Sequence, residues 1–142
     1  MLTVVLGAYV VGSLTLPAYS DRIGLRRRVY IPGVALCGLM IVASAQLVGW
    51  PLIAVLAVWG VAAGGIALVF VVPLELASVG PALAGSAVGA TLSAGFLGGF
   101  VSPMIGLALA ERAPMAAFVF WAACYAASAV CFALLPETGK GK

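Results

Sequence analysis

The sequence predicts an all-α integral membrane protein of five transmembrane helices, and three observations carry that prediction. Its 142 residues are 65% hydrophobic and 8% charged, whereas soluble domains are roughly half apolar and about one quarter charged. The mean hydropathy is +1.26. Five apolar stretches, near 1–19, 29–49, 52–76, 84–110 and 115–135, are each of the order of the roughly 20 residues that cross a hydrocarbon core of about 30 Å. The chain reads as one domain of partial-bundle size.

The first stretch, 1–19, has no charge before its apolar run; the charges follow it. A secretory signal peptide has the opposite order and a cleavage site, so this stretch is expected to span rather than to be removed. Next comes Ser-Asp-Arg-Ile-Gly-Leu-Arg-Arg-Arg over 20–28, which holds five of the eleven formal charges. Such a cluster belongs where water or headgroups reach it, and it marks one membrane surface. Gly24 is expected to take positive φ and turn the chain between two helices. Asp21 suits a helix N-terminus, and Arg26, Arg27 and Arg28 suit phosphates or helix-end carbonyls.

The second stretch carries Leu36, Leu39, Met40 and Ile41, bulky and without polar relief. The third has Trp59, Gly60, Gly64 and Gly65, a face that another backbone can approach closely, and it ends near Glu75. Glu75 is the one acidic residue within an apolar stretch. Intramembrane carboxylates are costly and usually functional. Because Glu75 sits near the loop end rather than at mid-depth, it is expected to pair with Arg22 or Arg26; proton relay and a solvated helix-end charge are the alternatives.

The fourth stretch is rich in small residues. Gly85 with Gly89, and Gly95 with Gly99, lie four apart and would form a flat ridge for helix packing. Kinks are possible at Pro73 and Pro103. The fifth stretch carries Phe118, Phe120, Phe132 and Leu134, and Pro136 stops it. Trp50, Trp121, Tyr19 and Tyr30 suit interfacial aromatic belts, with packing as the alternative.

Lysine and arginine fix the expected orientation. Arg22, Arg26, Arg27, Arg28, Lys140 and Lys142 fall on one side of this threading and Arg112 on the other, so the N-terminus is expected outside and the C-terminus in the cytoplasm. The net charge of +3 is distributed at membrane flanks and is no nucleic-acid footprint. Cys37, Cys124 and Cys131 lie in apolar stretches and read as small packing residues. No histidine is present, and there is no carboxylate pair at mid-depth, phosphate loop or metal-ligand spacing. Neither enzyme chemistry nor a cofactor is expected.

Asp21, Arg22, Gly24 and Arg26 resemble the Gly-x-x-x-Asp-Arg-x-Gly-Arg-Arg loop of the major facilitator superfamily of secondary transporters, matching four of its six fixed positions. Pro17 stands for the first glycine and Leu25 for the first of the paired basic residues, as in the looser second-half copy. The ending Pro136-Glu137-Thr138 is similar to that family's Pro-Glu-Thr after its sixth and twelfth helices. Four spans separate the two motifs, the spacing from the family's eighth helix to the end of its twelfth.

The resemblance covers the whole chain and implies helices eight to twelve of a transporter moving a small solute by alternating access in the plasma membrane. By that resemblance the third span lines the central cavity, with Trp59 a candidate to stack on a substrate and apolar packing the favoured alternative for it; the fourth span lies between the two halves, and the second and fifth spans face lipid. An acidic residue pairs with the basic loop to latch the cytoplasmic side. A missing N-terminal half, or self-association, would supply the second wall. Gly95-Phe96-Leu97-Gly98-Gly99 is faintly similar to the Gly-Asn-x-Gly-Gly of nitrate and nitrite transporters, but Phe96 replaces the asparagine and no substrate carries over. The rival expectation is a non-transporting five-span scaffold that uses its glycine face for assembly.

Overall fold

The computed structural model describes residues 1–76, 79–136 and 138, and every regular element among them is helical. The elements are α1 (Leu2–Ile23), α2 (Arg26–Ser44), α3 (Trp50–Ala63), a 3₁₀ turn (Gly64–Ile66), α4 (Ala67–Glu75), α5 (Gly80–Arg112) and α6 (Pro114–Leu134). With α3, the turn and α4 forming one rod, five helices are long and apolar enough to cross a membrane. Glu137, Gly139 and Lys140 of the C-terminal motif, and Lys142, lie outside the described residues.

Local chemistry accounts for the helix ends. Gly24 adopts φ 71° and ψ 18°, and its N–H donates to the Ser20 carbonyl at 2.9 Å, a left-handed cap that closes α1. Pro51 and Pro114 sit at the starts of α3 and α6, where a missing N–H costs nothing. Within the apolar helices, Ser13, Thr15, Ser44 and Thr91 donate to carbonyls three or four residues back, at 2.7–2.9 Å. A hydroxyl with no water nearby satisfies itself in this way.

The one interruption within a span falls at Gly64–Ile66; α4 and α5 continue through Pro73 and Pro103. In lipid the freed carbonyl of a proline helix is re-satisfied locally, while a glycine pair gives the backbone freedom to tighten. At 33 residues, α5 is about 50 Å long, more than the roughly 30 Å of a hydrocarbon core, so in a bilayer it would have to tilt or project beyond it.

Two packing modes hold the bundle. The first is backbone contact between α1 and the α3 rod: a Cβ placed on Gly12 would meet the Val61 carbonyl oxygen at 2.0 Å, one on Gly60 the Val5 oxygen at 2.7 Å, and one on Gly64 the Ser13 nitrogen at 2.3 Å. Gly60 and Gly64, four apart, are the pair that brings these axes together. The second is side-chain packing of α2 on α4 and α6, where Tyr30, Val34, Leu68, Val72 and Phe132 form the buried core. Tyr30 stacks on Phe132 with ring centroids 4.0 Å apart. α5 packs on α6 and α4 and keeps most of its surface free.

The structure refines three of these readings. Phe132 is buried in the α2–α6 seam rather than facing lipid, because it stacks on Tyr30. Tyr30 accordingly leaves the interfacial belt and shares a 2.9 Å hydrogen bond with Ser128. The glycine ridge of α5 carries no packing among the described residues: Gly85, Gly89, Gly95 and Gly99 have nothing within 4 Å of where a Cβ would stand, which leaves the ridge open to helices outside this set. Small residues permit close approach but do not supply the neighbour, and of the α5 glycines Gly106 alone meets another helix, at the Trp121 ring.

Candidate functional site

The charged end of the bundle is built around Arg26. Gly24 reverses the chain, Leu25 is extended at φ −132°, and Arg26 therefore opens α2 with its side chain turned back beneath α1 and α4. Its Nη2 donates to Glu75 Oε1 at 2.7 Å and its Nε to Oε2 at 3.3 Å, a two-point clamp on one carboxylate. Nη1 pairs with Asp21 and donates to Ser20 Oγ at 3.4 Å. The Arg26 amide donates to the Thr138 carbonyl at 3.4 Å, so the chain beyond α6 meets the same loop.

Burial grades these contacts. The Arg26 side chain is 9% exposed, Glu75 27% and Asp21 60%. The Arg26–Glu75 contact is thus the shielded one, while Asp21 holds the arginine from the wet side. Side chains of α1 (Ser20, Asp21) and α4 (Glu75) thus meet at one guanidinium, while the segment after α6 meets the Arg26 backbone amide.

Of the residues predicted from sequence, Asp21, Gly24, Arg26 and Glu75 come together here. Arg22 does not. It is exposed at the end of α1 and makes no ion pair among the described residues. Asp21 binds the Arg26 side chain instead of capping α2, whose N-cap Leu25 has no side-chain hydrogen bond. Ser20, fully buried against Arg26, was not legible as a site residue; its place directly before Asp21 and the basic loop was the available signal.

Beyond this clamp, α1, α2, α3, α5 and α6 border an open cavity of about 980 Å³. Tyr9, Tyr30, Trp59, Trp121 and Tyr125 line it, and no lining residue is charged. Gly98 and Gly99 of α5 form part of the same wall. Trp121 takes the packing alternative: its Nε1 donates to Ser102 Oγ at 3.0 Å, its ring fills the notch left by Gly106, and Phe118 meets it edge-on. Trp59 Nε1 is buried with no hydrogen bond of good geometry among the described residues, and the Tyr125 hydroxyl lies close enough to interact with it.

Tyr125, Ser102 and Ser128 went unread in the sequence because an aromatic or hydroxyl residue in an apolar span looks the same whether it faces lipid or a cavity. Gly12 was missed for a related reason, since its partner glycines lie on another helix. No protein-family model matches the chain, and no curated protein matches it.

Proposed function

We propose that the chain is the five-helix portion of a secondary transporter of the major facilitator type. It moves a small solute by alternating access across the plasma membrane, with the Arg26 end in the cytoplasm and the N-terminus outside. The observation that carries this reading is the Arg26–Glu75–Asp21 clamp beneath an uncharged, aromatic-lined cavity. A carrier needs a space for its solute and a closure that breaks and reforms at one end. A clamp shielded from water yet resting on two carboxylates has both strength and an alternative, because each carboxylate is solvated once released.

The uncovered glycine face of α5 supports working together with further helices, which would complete the cavity wall. The same face also favours the second reading, a scaffold that docks other membrane helices without transporting. One comparison separates them: uptake of a panel of radiolabelled small solutes into liposomes, by the chain alone and with a complementing seven-helix half of a related transporter. The transporter reading expects saturable uptake with the complement and none without it. In that assay Arg26→Glu and Glu75→Arg should each abolish uptake, and the double exchange should recover part of it. Complexes that form but never transport would leave the scaffold; saturable uptake by the chain alone would point to a self-sufficient carrier.

A further inference from the structure

A second concavity lies outside the bundle, on the face where α1, α2 and α3 meet. It measures about 790 Å³ and is walled by Leu16 and Ile23 of α1, Pro32, Gly33 and Leu36 of α2, and Val58 of α3. Tyr19 and Arg28 stand at its loop end, Tyr19 near the close of α1 and Arg28 in the first turn of α2. From Arg28 to Leu36 the groove follows α2 for about 12 Å. We infer that this groove binds one anionic phospholipid of the surrounding bilayer, with its phosphate on Arg28 and an acyl chain lying along the apolar walls.

Charge complementarity selects that occupant. Among the described residues, neither carboxylate of this end is available to neutralise the groove, since Asp21 and Glu75 are both engaged by Arg26, and no acidic residue lines it. Arg28 is exposed and makes no ion pair among the described residues. Its amide, third in α2, has no intrahelical acceptor, and no side chain caps that helix, so the positive end of the α2 dipole adds to the guanidinium. Tyr19 lines the groove at the same end, and its amphipathic side chain can offer a ring to the apolar walls and a hydroxyl to a headgroup.

The walls decide for a lipid over a free phosphate. Beneath its single charged residue the groove is apolar, and a Cβ on Gly33 would meet nothing closer than the Ala62 carbonyl at 3.8 Å. A soluble anion would use Arg28 and leave the apolar length unfilled, whereas a phospholipid uses both. The inference requires that the chain span a bilayer and is independent of whether it transports.

Native mass spectrometry of the chain released from nanodiscs of equimolar phosphatidylglycerol and phosphatidylcholine tests it. Phosphatidylglycerol should be retained about fivefold over phosphatidylcholine, the preference one arginine gives near a membrane surface. Arg28→Gln should bring the two lipids to parity, Arg28→Lys should keep most of the preference, and Arg112→Gln at the opposite end should leave it unchanged. Gly33→Leu, which fills the groove while sparing the arginine, should reduce retention of both lipids. Glycerol 3-phosphate should not displace the bound lipid. Equal retention by the wild type, an unaltered preference in Arg28→Gln, or full retention in Gly33→Leu overturns the inference. Displacement by glycerol 3-phosphate overturns it in favour of a phosphate site without a lipid.

Discussion

Arg26 satisfies two carboxylates, a serine hydroxyl and, through its amide, the chain after α6. Its removal leaves the partly shielded Glu75 without a counter-charge, which costs far more than losing an exposed partner. Arg26→Ala is therefore expected to lower stability by about 2–3 kcal/mol and Asp21→Asn by about 0.5 kcal/mol, read from unfolding in mixed micelles. Arg22→Ala, at an exposed side chain with no ion pair among the described residues, should be close to neutral in the same measurement. Gly24 is a second residue whose identity the backbone dictates. At φ 71° a β-branched side chain is strained, so Gly24→Val should cost about 1–2 kcal/mol, with Gly24→Asn in between. Both residues could be singled out in the sequence. That Glu75 meets Arg26 rather than Arg22 could not, because the two arginines are four apart and only the turn at Gly24 and the start of α2 decide which one faces α4.

At the scale of the element, glycine has two different meanings in this chain. Along the α1–α3 contact it is required by distance, and along α5 it leaves open space. Gly64→Ala should therefore lower stability by about 1–3 kcal/mol through overpacking against the α1 backbone. Gly89→Ala should be neutral or stabilising by up to about 1 kcal/mol, since alanine is the better helix former and meets no neighbour. Parallel unfolding titrations of the two variants check this, and an equal loss in both would mean that the α5 ridge is already packed in the assembled protein. Gly106→Ala is the intermediate case, since its methyl collides with the Trp121 ring and should disturb the Trp121–Ser102 hydrogen bond, visible as a shift in tryptophan emission. The Gly60–Gly64 face was legible because both residues lie on one helix at the packing period. Gly12, across the contact from Val61, had no such signal.

Across the whole molecule, the end of α1, the start of α2, the end of α4 and the segment after α6 converge at one pole, as alternate threading of five helices requires. Single cysteines at Leu25 and at Val48, in a background with Cys37, Cys124 and Cys131 replaced, should be labelled by an impermeant maleimide from opposite faces. The Leu25 position is expected to be cytoplasmic, and labelling of both from one face would remove the five-span threading. That threading, the turn at Gly24 and the grouping of charge at one pole are matters of length and order along the chain, so the sequence by itself determined them: each apolar run has its length and each charge its place in line. The tertiary structure decided which helix faces touch. It took Phe132 and Tyr30 into a buried seam, turned Trp121 into the cavity, selected Gly12, Gly60 and Gly64 for packing and left the α5 ridge bare. The reason is that a helix bound for lipid is apolar all round, so no polar stripe marks its outer side. Hydrocarbon tails solvate its side chains as well as a protein interior does, and only shape and the few hydrogen bonds available distinguish neighbour from solvent.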